Sequence, residues 1–300
     1  MQRLIIDTDP GQDIDDLLAI IFGLKRPELD IKAITTVTYP SARRARLIKR
    51  LLRYVGRTDI PVGVGMELPL RPFSEEDHKS QNDPRATMNH ESFAEPFDPK
   101  DEPGQIDAVD LIIRTIEDNL GEIILACIAP LTNIACALRK KPDIARKIKA
   151  IYLMGGELDL QRSEHNIAFD YNAAEIVFTS SIPLALGTWS VTRKFFLSKE
   201  DCAKFHTSKD PVNQALGKAI DIWQPVHHWK PGPVMYDVFP LVWAFDRSFY
   251  QTEVRSIEIE TGSPLTRGMT VHRGNLKHME VTTTIKENEL KEFYLKTVLG

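Results

Sequence analysis

Short apolar segments alternate with amphipathic segments along the first two thirds of the chain, and this alternation restricts the folds that the chain can adopt. Helical periodicity is clear in the amphipathic segments "AVDLIIRTIEDN" and "LTNIACALRK". Strands that are apolar on both faces and are joined by such helices are typical of a mostly parallel sheet. The sequence therefore predicts an α/β fold, with an open, mostly parallel sheet and helices on both faces. The predicted strands are "RLIID", "IKAITTV", "PVGVG", "EIILACI", "AIYLMGG" and "PLALG".

The remainder of the chain departs from this alternation in two places. Between Met66 and Gly104 the sequence is rich in Pro, Asp, Glu and Asn and has no sustained period, which is typical of a functional or disordered loop. Near the C-terminus the strands "VRSIEIET", "GMTVH" and "HMEVTTTI" are predicted before a last helix. Because no repeat or linker interrupts the pattern, residues 1–300 are predicted to form a single domain.

Charge and cysteine content narrow the class of protein. The formal net charge of -4 argues against a general nucleic-acid binder. The basic run from Arg43 to Arg53 has helical periodicity and is predicted to be a solvated helix face. The longest apolar run, "LLAIIFGL", is too short to span a membrane. The odd cysteine count has no metal-type spacing, and we expect a cytoplasmic protein with reduced thiols at Cys127, Cys136 and Cys202.

In the stretch "LIIDTDPGQDIDD", five carboxylates come directly after the first apolar run. A strand that ends at Asp7 delivers them to the carboxyl edge of the sheet, where ligands bind in such folds. A helix is predicted directly after them, with Asp13 as its cap and with Asp15 and Asp16 in its first turn, where the helix dipole favours acids. Capping accounts for only one or two of the five side chains.

A bound cation is the remaining explanation for this acid cluster. Several carboxylate oxygens at uneven spacing suit Ca²⁺ or Mg²⁺ better than Zn²⁺. The spacing does not fit the loop of an EF-hand, which needs Gly at its sixth position and Glu at its twelfth. The sequence therefore predicts a site for a hard divalent cation at the end of the first strand.

Segments along nearly the whole chain resemble, in the same order, the motifs of the nucleoside hydrolase family of the inosine-uridine-preferring type. They are "DTDPG" with "DIDDLLAI", "ITTV", "IAPLTNIACAL", "YLMGG", "EHNIAFDYNAAEIVF", "MYDVFPLVWAF" and "TRGMTV". The resemblance implies an α/β fold with a Rossmann-like core and one Ca²⁺ at the strand ends. It also implies hydrolysis of ribonucleosides to base and ribose in purine or pyrimidine salvage. A homodimer or homotetramer, with neither a nucleic acid nor a membrane as partner, is expected.

The resemblance also assigns roles to individual residues. It implies that Asp9 is the general base acting on a metal-bound water. Asp13 is an additional acid, because the motif here has two extra residues; either it takes the role of Asp15 or it caps the helix. The residues implied around the metal are Asp9, Asp15, Asp16, Asp237 and the carbonyl group of Ile128. Those implied to bind substrate, mainly through the ribose hydroxyls, are Asp13, Asp15, Glu164, Asn166 and Asp237.

The sequence departs from the family mainly where the base would bind. Tyr236 stands where the family often has a His that is linked to protonation of the leaving group. His227 and His228 are candidates for that acid or for the base pocket, and their alternative is a surface pair at a helix end. Trp223 is a candidate for stacking on the base, and its alternative is a place in the core.

Two other functions are compatible with parts of this pattern. A phosphatase resembling haloacid dehalogenases also has an Asp-x-Asp pair after its first strand. The motif of that family has Gly where this chain has Pro10, and it has a late acidic pair where Asp237 stands alone. A nucleoside- or ribose-binding protein without turnover would keep the metal site. Phosphate release would identify the phosphatase, and ribose release would separate an enzyme from a binder.

Overall fold

The structure is a computed structural model in which the strands form a single sheet. It describes residues 1–75, 77, 98–228, 230–273 and 278–300. Most of the loop predicted between Met66 and Gly104 therefore lies outside the described residues. The strands are β1 (Gln2–Thr8), β2 (Leu29–Thr36), β3 (Val62–Val64), β4 (Ile123–Cys127), β5 (Ile148–Met154), β6 (Leu184–Gly187), β7 (Tyr250–Ile259), β8 (Thr270–His272) and β9 (His278–Ile285).

The order of the strands across the sheet is β3-β2-β1-β4-β5-β6-β9-β7-β8. Every neighbouring pair from β3 to β9 is parallel, whereas β7 is antiparallel to both β9 and β8. The predicted open, mostly parallel sheet is confirmed, with an antiparallel edge formed by the C-terminal strands.

Helices connect the parallel strands, and their positions agree with the predicted periodic segments within a few residues. Three short helices, α5, α7 and α8, are not predicted by the sequence pattern; α8 begins with a capping box formed by Ser198 and Asp201. The helices are α1 (Asp15–Leu24), α2 (Ser41–Tyr54), α3 (Ala108–Asp118), α4 (Thr132–Lys140), α5 (His165–Phe169), α6 (Tyr171–Thr179), α7 (Trp189–Thr192), α8 (Lys199–Thr207), α9 (Pro211–Val226), α10 (Val238–Trp243) and α11 (Glu287–Leu299).

Two apolar layers cover the two faces of the sheet. Successive side chains of a strand point to opposite faces, so Leu4 and Ile6 belong to one layer and Ile5 belongs to the other. Helices α1, α2, α9, α10 and α11 contribute to the first layer, and α3, α4 and α6 contribute to the second. No helix within the described ranges is long and apolar enough to cross a membrane.

The strand order reverses direction at β1. The chain moves outward from β1 to β2 and β3 on one side, and it later returns to β4 on the other side. Crevices at such points, outside the carboxyl ends of the strands, are where open α/β sheets bind ligands. The end of β1 leads into the acid cluster, and the amide of Ile128, just after β4, donates to the Asp7 carbonyl oxygen at 2.9 Å. The acid cluster therefore lies at this reversal of strand order.

Candidate metal centre and active site

Three buried carboxylates from two distant parts of the chain converge at this crevice. Asp15 and Asp16 lie in the first turn of α1, and Asp237 lies at the start of α10. One carboxylate oxygen of each lies within 4.8 Å of the corresponding oxygens of the other two. Because a cation bound by several ligands needs oxygens at such separations, these three residues can hold one metal ion together.

Neither Asp13 nor Asp237 caps a helix with its side chain. The N-cap position of α1 is Ile14, which corrects the predicted cap at Asp13. The Asp13 Oδ1 accepts a hydrogen bond from the neighbouring Ile14 amide at 2.9 Å, and its Oδ2 pairs with Lys230. Asp237 occupies the N-cap position of α10, but its carboxylate accepts no capping hydrogen bond. Capping therefore does not explain why an acid stands at either position.

Hydrogen bonds from β1 and the following loop orient Asp16. Its Oδ1 accepts from the Thr8 hydroxyl at 2.5 Å and from the Asp9 amide at 3.1 Å. Both of these bonds end on the same oxygen, so Oδ2 is available for another ligand. The first strand and the first helix are thus connected through the carboxylate of Asp16.

The loop that carries Asp9 is held by a buried arginine that the sequence analysis did not identify. The guanidinium of Arg44 donates to the carbonyl oxygens of Asp9, Pro10 and Tyr39. The Asp9 carboxylate accepts from the Thr38 hydroxyl at 3.4 Å. Arg44 is buried on α2, so the prediction of a solvated basic face is wrong at this position. Its positive charge offsets part of the negative charge of the cluster, and the helical period alone does not reveal this inward position.

Asp7 is oriented toward other partners. Its Oδ1 accepts from the Thr35 hydroxyl at 2.6 Å and from the Asn133 side-chain amide at 2.8 Å, while its Oδ2 is buried without a partner. These bonds connect β1 to β2 and α4. Asp7 therefore braces the sheet next to the cluster.

The buried carboxylates of the cluster have too little positive charge near them to balance their own charge when all are ionised. Burial raises the pKa of Asp16 to about 6, and burial raises the pKa of Asp7 to about 7. Burial, reinforced by the neighbouring carboxylates, raises the pKa of Asp9, Asp15 and Asp237 well above the usual range. A divalent cation would remove this repulsion. The hard oxygen donors fit Ca²⁺ or Mg²⁺, and none of the three cysteines belongs to the acidic group.

Metal-free protein is expected to lose stability as the pH rises from about 4 to about 7. The folded state binds more protons than the unfolded state in this range, because the raised pKa values belong to the folded state alone. The Asp16 carboxyl, with its pKa raised from 3.8 to about 6, would cost about 3 kcal/mol at pH 7. Thermal unfolding in chelator at pH 5 and pH 7.5 measures this difference. Excess Ca²⁺ should reduce it, and higher stability at pH 7.5 in chelator would contradict it.

The two residues implied to bind ribose also hold the backbone near the end of β5. Glu164 caps α5 and accepts from the amides of Asn166 at 2.9 Å, Ile167 at 3.2 Å and Gly156 at 3.1 Å. The Asn166 side chain donates to the Met154 carbonyl oxygen at 3.1 Å. Both side chains are buried and fixed in orientation, and the sequence did not predict these structural bonds.

The candidates for the base pocket have different surroundings. Trp223 is fully buried in the core, as its alternative assignment predicts, and the His227 ring stacks on it with centroids 4.8 Å apart. His227 is buried, so the surface alternative is wrong for it, whereas His228 is exposed and its role stays a prediction. Tyr236 is half-buried beside Asp237. Lys230, which the sequence analysis did not single out, lies among these residues.

Comparison with known proteins gives one family. Residues 4–293 match the family described as "Inosine-uridine preferring nucleoside hydrolase". The chain is 31% identical over 281 residues to the pyrimidine-specific ribonucleoside hydrolase RihA of Citrobacter koseri, covering 89% of this chain and 87% of that protein. RihA of Escherichia coli O7:K1 is also 31% identical over 281 residues, which cover 89% of this chain and 87% of that protein.

Solved structures share the fold. A purine-preferring ribonucleoside hydrolase from Gardnerella vaginalis has a TM-score of 0.86 at 23% identity, over 100% of this chain and 98% of that one. A plant nucleoside hydrolase has a TM-score of 0.84 at 23% identity, over 100% of this chain and 99% of that one.

Proposed function

The chain belongs to the inosine-uridine preferring nucleoside hydrolase family, and on that premise we propose that it hydrolyses the N-glycosidic bond of ribonucleosides with one bound Ca²⁺. Relatives that match most of the chain are named ribonucleoside hydrolases, which supports the reaction. The observation that carries the proposal is the buried group of Asp15, Asp16 and Asp237, whose oxygens are close enough to share a cation.

The residues around the cluster divide into ligands and supports. Asp15, Asp16 and Asp237 would hold the ion with their carboxylates, and Asp9 and the Ile128 carbonyl group would complete the set. When bound, Ca²⁺ supplies a positive centre that acidifies water and attracts vicinal hydroxyls. Arg44 holds the Asp9–Pro10 backbone, so it fixes the loop without competing for the ligand oxygens.

Asp9 is the proposed general base. A carboxylate that takes a proton during attack must be close to the water and oriented toward it. Three contacts restrain Asp9: its amide donates to Asp16, its carboxylate accepts from Thr38, and its carbonyl oxygen accepts from Arg44.

The sugar would be bound by polar groups that form hydrogen bonds with its hydroxyls. Asp15, Glu164 and Asn166 are buried, and hydrogen bonds fix the orientations of Glu164 and Asn166, which suits selection of a vicinal diol. The sugar passes through an oxocarbenium-like state in which positive charge builds at C1′, as in other glycoside hydrolysis. The acidic surroundings would stabilise that charge.

Pyrimidine ribonucleosides are the proposed first substrates, because the RihA relatives are named pyrimidine-specific. Hydrolysis would return a free base and ribose, consistent with salvage. The cytoplasmic location and the homodimer or homotetramer stay predictions. The family match overturns the phosphatase alternative.

Release of reducing sugar tests the proposal directly. Metal-depleted protein is expected to regain activity on uridine or cytidine with Ca²⁺ near one equivalent per chain, and not with Zn²⁺. The matched control is 2′-deoxyuridine, which should be cleaved at least ~10³-fold more slowly because a site built for a hydroxyl rejects its absence. Ligand binding without ribose release would favour the non-enzymatic alternative, and equal rates on the two sugars would contradict diol recognition.

A further inference from the structure

Lys230 carries a largely buried ammonium next to the acid cluster. Its Nζ pairs with Asp13 Oδ2, and its side chain is 16% exposed. Asp13 is two residues before Asp15 in the chain. Over the described part of the chain, Asp13 is the one residue to which the Lys230 ammonium donates a hydrogen bond. Because an ammonium has three donor hydrogens, this pair leaves donors for a ligand.

Two aromatic rings border the same ammonium, that of the core residue Trp223 and that of the half-buried Tyr236. The Nζ atom lies 5.6 Å from the centroid of the Trp223 ring and 5.3 Å from that of Tyr236. Tyr236 directly precedes Asp237 in the acid cluster. Trp223 therefore packs against the Lys230 ammonium from the core, whereas the half-buried Tyr236 lies with Lys230 beside the acids that would hold the ribose.

The charge of Lys230 is retained despite burial. Burial lowers the pKa of this side chain, but the carboxylates of Asp13 and Asp15 raise it by more, so the pKa lies above its ordinary value. Lys230 is therefore a hydrogen-bond donor that keeps its proton at neutral pH. Such donors stabilise charge that develops in a transition state without transferring a proton.

His227 is less suited to this task. Its Nδ1 lies 3.2 Å from the Trp223 carbonyl oxygen, which can only accept, so Nδ1 carries the proton of the neutral ring. Burial lowers the pKa of His227, which favours that neutral form. In this tautomer Nε2 is an acceptor and has no proton to donate.

We infer that Lys230 contacts the departing base and donates a hydrogen bond to its carbonyl oxygen, and that Asp13 holds Lys230 in place. This inference rests on the proposed function and adds a leaving-group residue to it. When the bond from C1′ to the base nitrogen breaks, its electron pair goes to the base, and negative charge spreads to the carbonyl oxygen. Water forms the new bond to C1′ and gives a proton to Asp9, while the base takes a proton from solvent.

The ion pair with Lys230 explains why the "QDIDD" stretch has an additional acid at Asp13. The contact with Lys230 occupies Asp13 Oδ2 and the contact with Ile14 occupies Oδ1, so Asp13 is not part of the acidic group formed by Asp15, Asp16 and Asp237. Asp13 acts as a positioning residue for the ammonium.

The test compares two substrates in Ca²⁺-loaded protein. Uridine has a poor leaving group that needs stabilisation, whereas 4-nitrophenyl riboside has a good one. Lys230→Met is expected to lower kcat/KM on uridine by about 100-fold, the usual effect of losing one such donor, and on the nitrophenyl riboside by less than ~3-fold. Lys230→Arg should restore uridine hydrolysis to within ~10-fold of the original protein.

Three further measurements separate a contact with the base from a structural effect. Asp13→Asn should cause a smaller loss that is again selective for uridine, and the double variant should be no worse than Lys230→Met, because coupled residues do not act additively. Arg193→Met is the matched control, since this exposed arginine stacks on Trp189 and its charge also acts on Tyr236. It should change both substrates equally.

The results can contradict the inference without affecting the proposed function. Equal losses on both substrates in Lys230→Met, or the same selective loss in Arg193→Met, would overturn the role of Lys230. Unmutated protein that releases no ribose from any ribonucleoside would instead overturn the proposed function.

Discussion

Asp237→Ala is expected to abolish ribonucleoside hydrolysis and to weaken Ca²⁺ binding by more than ~100-fold, which exceeds the usual loss when an outer partner of a metal ligand is removed. The carboxylate of Asp237 comes within 4.8 Å of those of Asp15 and Asp16, although more than two hundred residues separate it from them in the chain. It makes no capping hydrogen bond, so its removal takes no support from α10. The variant therefore tests the C-terminal half of the proposed metal site.

Thermal unfolding distinguishes this loss of a ligand from ordinary destabilisation. In chelator, Asp237→Ala should be at least as stable as the unmutated protein at pH 7.5, because one source of repulsion is gone. A Ca²⁺ concentration of 100 times the original Kd stabilises the unmutated protein by about 2.7 kcal/mol, and most of this gain should disappear in the variant. Higher Ca²⁺ should recover part of it.

Asp107→Ala is the matched control for Asp237→Ala. Asp107 is an exposed acid that caps α3 by accepting from the Asp110 amide at 2.9 Å. Its loss should cost about 1 kcal/mol in both the presence and the absence of Ca²⁺, and activity should remain. If Asp237→Ala binds Ca²⁺ normally and still hydrolyses nucleosides, the proposed site is wrong at Asp237.

Asp9→Asn is expected to lower kcat by about 10³-fold while Ca²⁺ affinity falls by less than ~10-fold. The amide keeps a neutral oxygen near the metal and has nearly the same shape, but it cannot take a proton from water. The Asp9 backbone contacts with Arg44 and Asp16 do not involve the side chain, so the loop should keep its conformation. Steady-state kinetics and Ca²⁺ titration of the same preparation measure the two effects separately.

Asp7→Asn makes the same substitution two residues earlier in the chain and is the control for Asp9→Asn. Asp7 accepts its hydrogen bonds from Thr35 and Asn133, outside the acidic group. We expect it to retain far more activity than Asp9→Asn. Activity in Asp9→Asn above about a tenth of the original would contradict a general-base role, and a large fall in Ca²⁺ affinity would make Asp9 chiefly a ligand.

Most secondary-structure elements and the local part of the site could be predicted from the order of the residues. The apolar pattern of a strand or helix can be read from neighbouring residues alone. It therefore predicts β1, α1, α2 and most other elements close to their observed ends. The acid cluster is likewise local, because Asp15 and Asp16 follow β1 within one short loop. Even the approach of Asp237 follows from the family motif, although no local period contains it.

The balance of charge in the cluster depends on long-range contacts that the sequence pattern does not reveal. Arg44 belongs to a helix that reads as a solvated basic face, yet it is buried and holds the Asp9 loop. Lys230 comes from a stretch without a motif, and it pairs with an acid more than two hundred residues earlier. The place of β9 between β6 and β7 is another long-range result. Side-chain periodicity specifies which residues are apolar, but the partner of a buried charge depends on which loops the strand order brings to the same edge of the sheet.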